Sequence, residues 1–326
     1  MAGAIAGAAI LNANKQTDSL HTITVTINNK CNLKCPHCYL QYNSNKTTIE
    51  ESTIENIFKA DFKHLAIVGQ EPFLNKDSIF VLERLIKDAK KHNKTVSVIT
   101  NGLNLSRLKA VYFSFIDYID VSFDGGPETY QNYRMAKFDK VIDGIDYAFS
   151  SGLKKINALH TLNTLNIKDI DDMVKVQNYF DFDKILYSPY LITKNDGSNS
   201  VSALELFKII YKLAKSNAFV KSKNSFLMVD LFHLWQQGLS VQDFKDKLSL
   251  YPNLINKVLF FELDPLFHGI IRVSYDDFIL TPQESLHPTT YKESKLTTSE
   301  INLNEAFSML INNYDQSRNK ELELSV

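Results

Sequence analysis

The stretch KCNLKCPHCYLQ, residues 30–41, holds Cys31, Cys35 and Cys38, and no other cysteine occurs in the 326 residues. An odd number of thiols packed into one loop argues against a disulfide framework. In a reducing compartment such a group points to metal binding or catalysis. Zinc accepts cysteine ligands, and His37 is a candidate to complete such a site. Structural zinc sites, however, usually pair two separated knuckles, and the sequence offers no second one. Buried inert cysteines would not gather around Pro36 in a loop. A cubane iron–sulfur cluster normally takes four thiolates. Three would leave one iron without a protein ligand and open to an external chelator. On that reading the missing fourth cysteine is a requirement of the site; a non-catalytic metal-binding module is the competing reading.

Such a loop needs a scaffold, and the hydrophobic pattern describes one. TITVTIN (22–28) alternates β-branched residues and reads as a strand that feeds directly into the cysteine loop. Five more strands are expected at 64–69, 95–102, 117–126, 155–161 and 184–192, those at 95–102 and 117–126 running into glycine-bearing turns. Helical segments are expected between them at 47–62, 77–93, 105–113, 138–152 and 168–180. Strict β–α alternation argues for a parallel sheet. Six units are too few to close an eight-unit barrel, so the expected fold is α/β, a partial (β/α)6 TIM-like barrel. In such folds chemistry sits at the C-terminal ends of the strands. The polar stretch near 192–202 reads as a linker. The expected organisation is an N-terminal arm (1–20), the partial barrel (21–195) and a C-terminal α+β extension (196–326) that caps or binds substrate. Within the extension, a helix is expected at 203–216, a strand or buried helical turn at 225–232, a hairpin at 268–282 and a last helix at 299–314.

Bulk properties narrow the function classes. The chain is 44% hydrophobic and 22% charged with a formal net charge of −1. It therefore carries no electrostatic footprint for nucleic acid or an anionic membrane. The apolar start MAGAIAGAAI is too short to span a bilayer and lacks a basic n-region. It reads as a flexible arm or short docking helix, and the expected location is the cytoplasm.

The cysteine loop resembles the signature of the radical S-adenosylmethionine (radical SAM) superfamily, C-x3-C-x-Φ-C, with His37 at the position usually aromatic. VGQEP (68–72) is similar to the family's Gly-Gly-Glu-Pro turn, TNG (100–102) to the turn after the third strand, and VSFDG (121–125) to the segment after the fourth. The resemblance spans about residues 21–192 and implies one [4Fe–4S] cluster on Cys31, Cys35 and Cys38, with SAM chelating the open iron. It implies SAM contacts from His37, Gly69, Gln70, Glu71, Thr100, Asn101, Ser122, Asp124, Arg134, His160 and Tyr187. Glu71 is the carboxylate expected to face the SAM ammonium, and Arg134 is placed to pair with the SAM carboxylate. Simpler readings stand beside these: Glu71 as a solvated turn residue, Ser122 and Asp124 as strand-end caps, Arg134 on a helix surface, His160 as a satisfied core histidine. Gln70 departs from the family's second glycine and demands an ordinary φ or an altered turn.

FHGIIRVSYDDFILTPQ (267–283) resembles the SPASM or twitch hairpin of peptide-modifying members, without its cysteines. That likeness implies a ribosomally made peptide as substrate, with a small metabolite such as a nucleotide or sugar as the rival. It leaves no auxiliary cluster and no thiol hydrogen donor, so a tyrosine such as Tyr187, Tyr190 or Tyr275 would have to serve. A flavodoxin- or ferredoxin-like protein is the expected reductant.

Overall fold

The structure is a computed structural model; it describes residues 19–38, 48–190, 201–230, 234, 238–261, 269–280 and 296–312. The N-terminal arm up to residue 18, the linker expected near 192–202 (up to residue 200), the residues flanking the C-terminal hairpin and the tail lie outside these.

The first half alternates as expected. It runs β1 (Thr22–Thr26), α1 (Glu51–Ile57), β2 (His64–Val68), α2 (Lys76–Lys91), β3 (Thr95–Thr100), α3 (Ala110–Phe113) and β4 (Tyr118–Ser122). It continues through α4 (Pro127–Arg134), α5 (Phe138–Ser150), β5 (Ile156–Leu162), α6 (Ile170–Lys175) and β6 (Lys184–Pro189). Beyond it lie α7 (Ala203–Lys215), α8 (Asn217–Lys221), β7 (Ser225–Asp230), α9 (Val241–Leu248), β8 (Val258–Phe261), β9 (Ile270–Val273) and β10 (Ile279–Leu280). A last helix, α10, covers 303–312, starting later than the pattern suggested because residues 298–300 form a turn.

Among the described residues all these strands join one sheet, in the order β10-β9-β1-β2-β3-β4-β5-β6-β7-β8. Every neighbouring pair is parallel except β10 with β9. The partial barrel is therefore present and the sheet is not closed, since β8 and β10 stand at its two edges. The C-terminal extension does more than sit beside the barrel: β7 and β8 lengthen the sheet past β6, and the expected hairpin docks its first strand along β1. Asp277 at the hairpin turn (φ 80°) fastens it. Its carboxylate accepts hydrogen bonds from Thr53 of α1 (2.9 Å), from Ser299 (3.0 Å) and from Thr298.

Helix boundaries follow local chemistry. The Asn75 side chain accepts from the Ser78 N–H to start α2, whose inner face buries Val81, Leu82, Leu85, Ile86 and Ala89. A Ser202–Glu205 capping box starts α7. Helix α4 escaped the pattern reading, although Pro127 at its first turn marks a helix start.

The strands are buried on both faces, yet the two faces differ. Ile23, Val25, Val98, Val121 and Ala158 face the main core under the helices. The alternate residues face the concave side, and many there are polar: Thr22, Thr24, Thr26, His64, Ser97, Asp120, Asn157 and Arg272 are all buried. His64 is satisfied by Thr95 (2.8 Å) and Ser97 (2.9 Å). Arg272 donates to Thr26 across the β1–β9 pair at 2.6 Å. Asp120 accepts from its β5 neighbour Asn157 at 2.7 Å.

Burial pushes the Asp120 carboxyl up to about 7, a rise that Asn157 and Lys184 only partly offset. Its folded pKa thus lies above the ordinary 3.8. The stability it contributes is present below about pH 4 and is lost as pH rises through 7. Asp120→Asn is isosteric and cannot ionise. Thermal melts should place its Tm about 4 °C above wild type at pH 8, with the gap narrowing as pH falls and closing below about pH 4.

Candidate functional site

The loop 31–38 leaves the C-terminal end of β1 and is gripped from two sides. On the first side the grip begins with Glu71, in the turn after β2. Its side chain is fully buried, which pushes its pKa up against the hydrogen bonds it accepts. Oε1 accepts from the Phe73 N–H (2.9 Å) and the Thr100 hydroxyl (2.7 Å), and Oε2 from the Asn101 N–H (2.8 Å). Glu71 is therefore not a solvated turn residue. It clamps the β2 turn to the β3 turn and keeps one acceptor direction on Oε2. Asn101 carries the grip onward: its Nδ2 donates to Asn32 Oδ1 at 2.9 Å and lies 3.8 Å from Cys31 Sγ. Asn28, at the end of β1, donates to the Glu71 carbonyl (2.7 Å) and to Ser78 (2.8 Å).

The glycines of these turns have steric work to do. Gly102 has φ +80°, and a Cβ there would lie 2.5 Å from Val141 Cγ2. A Cβ on Gly69 would lie 2.7 Å from Asn28 Oδ1. Gln70 needs no such freedom. Among the described residues only Asn93, Met135 and Asp277 combine a side chain with positive φ, so the departure from a second glycine costs no backbone strain.

The second grip centres on Asp124, which follows β4 and is fully buried. Its Oδ2 accepts from Arg134 Nε at 2.9 Å and from Arg134 Nη2, and lies 3.2 Å from His37 Nε2. Its Oδ1 accepts from the Thr161 N–H at 2.6 Å. Burial alone would raise this carboxyl's pKa; Arg134, His37 and Thr161 overcome it and hold the group well below the usual carboxylate range. Asp124 is thus a charged hub and not merely a strand-end cap. Arg134 is equally far from a surface residue, at 6% exposure. It ends α4, its carbonyl lies 3.9 Å from Cys35 Sγ, and Met135 after it takes the left-handed conformation. Tyr130 on the same helix donates to the Asn101 carbonyl at 3.4 Å, joining the two grips.

His37 reaches Asp124 with one ring edge, and its ring stacks on Tyr133 (centroids 4.5 Å, planes 5° apart). His160 and Tyr187, register neighbours on β5 and β6, also stack (4.6 Å, 7°). Their alternation places them with Ala158 and Leu162 on the helix-facing side of the sheet. Both His160 ring nitrogens are buried without a hydrogen-bond partner, so it is not a satisfied core histidine, and burial holds its pKa down at about 4. Ser122 points to the concave face with Asp120. Tyr187, Tyr190 and Tyr275 are all buried.

Cys31 and Cys35 are half-buried and Cys38 is exposed, none of them in a disulfide. Burial pushes the Cys31 thiol up to about 11, with the Leu33 N–H offsetting part of the rise. Such thiols become thiolates when a cation shares the site. Among the described residues, no three His, Cys, Asp or Glu side chains converge tightly enough for one metal ion. Three thiols on one loop are soft donors of the kind a cubane cluster takes, one thiolate per iron. The donor set therefore fits a cluster. No helix among the described residues is long and apolar enough to cross a membrane.

The sequence profile of the radical SAM superfamily matches residues 25–176. The chain is 32% identical over 48% of its length to the probable GTP 3′,8-cyclase of Methanocaldococcus jannaschii, covering 54% of that protein. It is 30% identical over 47% of its length to the Fe-coproporphyrin III synthase of Methanosarcina barkeri, covering 40% of it. The chain spans about half the length of the curated relatives it matches. Among solved structures, Streptococcus suis SuiB bound to precursor peptide SuiA is similar over 92% of this chain and 67% of that one, with TM-score 0.62 and 12% identity. Native anSMEcpe with bound AdoMet and the Kp18Cys peptide is similar over 88% and 80%, with TM-score 0.58 and 16% identity. At these identities the likeness is one of fold.

Removing the Asp124 carboxylate would strand Arg134 as a buried, uncompensated charge. Asp124→Ala should cost about 3–5 kcal/mol in urea unfolding, and pairing it with Arg134→Met should recover part of that loss.

Proposed function

We propose, from the match of residues 25–176 to the radical SAM superfamily profile, that the chain is an enzyme using one [4Fe–4S] cluster held by Cys31, Cys35 and Cys38. Held there, the cluster would supply the one electron for reductive cleavage of SAM and so the means to take a hydrogen atom from the substrate. The observation that carries this reading is the convergence of the turns after β1, β2, β3 and β4 on one cysteine loop, through Glu71, Asn101 and Asp124. This chain's residues then have separable tasks. Glu71 holds the β2 turn, with Gly69 and Gln70, against the loop, and its remaining acceptor direction suits the SAM ammonium. Thr100 and Asn101 fix that carboxylate. Arg134 turns Nε and Nη2 toward Asp124, and we assign Nη1 to the SAM carboxylate. Ser122 and His37 remain the proposed contacts to the nucleoside, whereas His160 and Tyr187, stacked on the helix-facing side, back the β5–β6 wall instead.

For substrate we favour a ribosomally made peptide. The fold likeness to peptide-bound SuiB reaches 92% of the chain, so it includes strands beyond the matched domain. A nucleotide is the second reading, favoured by the 32% identity to a probable GTP 3′,8-cyclase. A flavodoxin- or ferredoxin-like protein is the proposed reductant, in the cytoplasm.

Anaerobic reconstitution should load about four irons and four sulfides per chain. Dithionite and SAM should then release 5′-deoxyadenosine, and Cys35→Ala should abolish both. A colourless protein holding one zinc would sink the proposal. Adding a candidate precursor peptide or GTP should raise 5′-deoxyadenosine release in one case only, which separates the two substrate classes.

A further inference from the structure

His37 lies between two of the three cysteines, so whatever fixes its ring also fixes the backbone that places Cys35 and Cys38. Two contacts fix that ring. Asp124 Oδ2 meets its edge at 3.2 Å, and Tyr133 covers a face at 4.5 Å with the planes 5° apart. An edge contact alone leaves the ring free to rotate about that contact; a flat neighbour removes the freedom.

Tyr133 is itself held. Its hydroxyl accepts from Asn163 Nδ2, and that same amide lies 3.4 Å from the Thr161 carbonyl. Asn166 Nδ2 donates to the Thr161 carbonyl at 2.8 Å, and its Oδ1 accepts from the Asn163 N–H at 2.9 Å. The Thr161 N–H donates to Asp124 Oδ1, which closes the circuit back to His37. Asn163 and Asn166 are fully buried and Tyr133 is 5% exposed, so water does not compete for these bonds. The circuit runs His37, Tyr133, Asn163, Thr161, Asp124 and back to His37. It ties the cysteine loop to the end of β5 and to the helix that ends in Arg134.

We infer that Tyr133 is a positioning residue: by stacking on His37 it sets the cysteine loop relative to Arg134, and so sets the open iron relative to the group that receives the SAM carboxylate. This rests on the cluster reading above. The flat ring is the working part, and the hydroxyl only orients it through Asn163.

The test is a SAM titration of the reduced, reconstituted protein followed by its EPR signal, with iron content and a circular-dichroism melt for each variant. Tyr133→Phe keeps the ring and should titrate within about twofold of wild type. Tyr133→Leu keeps apolar volume without a flat face; it should retain iron but need about tenfold more SAM, the equivalent of 1.4 kcal/mol. Should Tyr133→Leu not fold, Tyr133→Met makes the same comparison. A Leu or Met variant that titrates like wild type, or a Phe variant as impaired as Leu, would overturn the inference. A wild-type protein that binds no cluster, or whose signal ignores SAM, would instead overturn the cluster reading on which it rests.

Discussion

One buried carboxylate, Asp124, holds the site together. It is fully buried and yet charged, which is tolerable only because Arg134, His37 and the Thr161 N–H all address it. Those three partners come from different places in the chain: a helix end, the cysteine loop and the end of β5. A carboxylate that must collect them all cannot sit anywhere else, so the charge specifies the arrangement as much as it stabilises it. Glu71 does the same on the opposite side with neutral donors, and its pKa is raised by burial, which those donors and the charge of Arg134 only partly offset. The cysteine loop lies between a charged clamp and a neutral one.

The parallel sheet makes this possible. Parallel strands bring all their C-terminal ends to one side, so consecutive turns meet without long loops. The concave face behind them is lined with threonines, asparagine, aspartate and arginine, most of them paired across adjacent strands. The strands added by the C-terminal region extend the same wall. Their register with β6 and β1 makes the region part of the barrel's architecture, whatever it binds.

The cysteine spacing, the turns behind it and the first six strands were legible in the sequence because each is a local signal. A strand declares itself by alternation, and a glycine or threonine turn by its neighbours. What escaped was non-local. Tyr133 and Asn163 carry no motif, and their importance exists only where β5 meets α4. Helix α4 is eight residues long with a broken apolar pattern, so only Pro127 announced it. The parallel pairing of β9 with β1 could not be read from a hairpin whose own pattern is satisfied by antiparallel pairing alone. Gln70 looked like a defect against a family pattern, and the backbone accommodates it at negative φ. Asp124 and Arg134 were legible as candidates, but their mutual pairing depends on burial that no spacing reveals.

Three cysteines that hold a cubane cluster would leave its fourth iron for SAM. Mössbauer spectra of the ⁵⁷Fe-loaded protein, taken with and without SAM, test it most directly. The account predicts a cubane spectrum in which SAM changes the parameters of one iron site in four and leaves the others in place. A spectrum without a cubane, or one whose iron sites all ignore SAM, would contradict it.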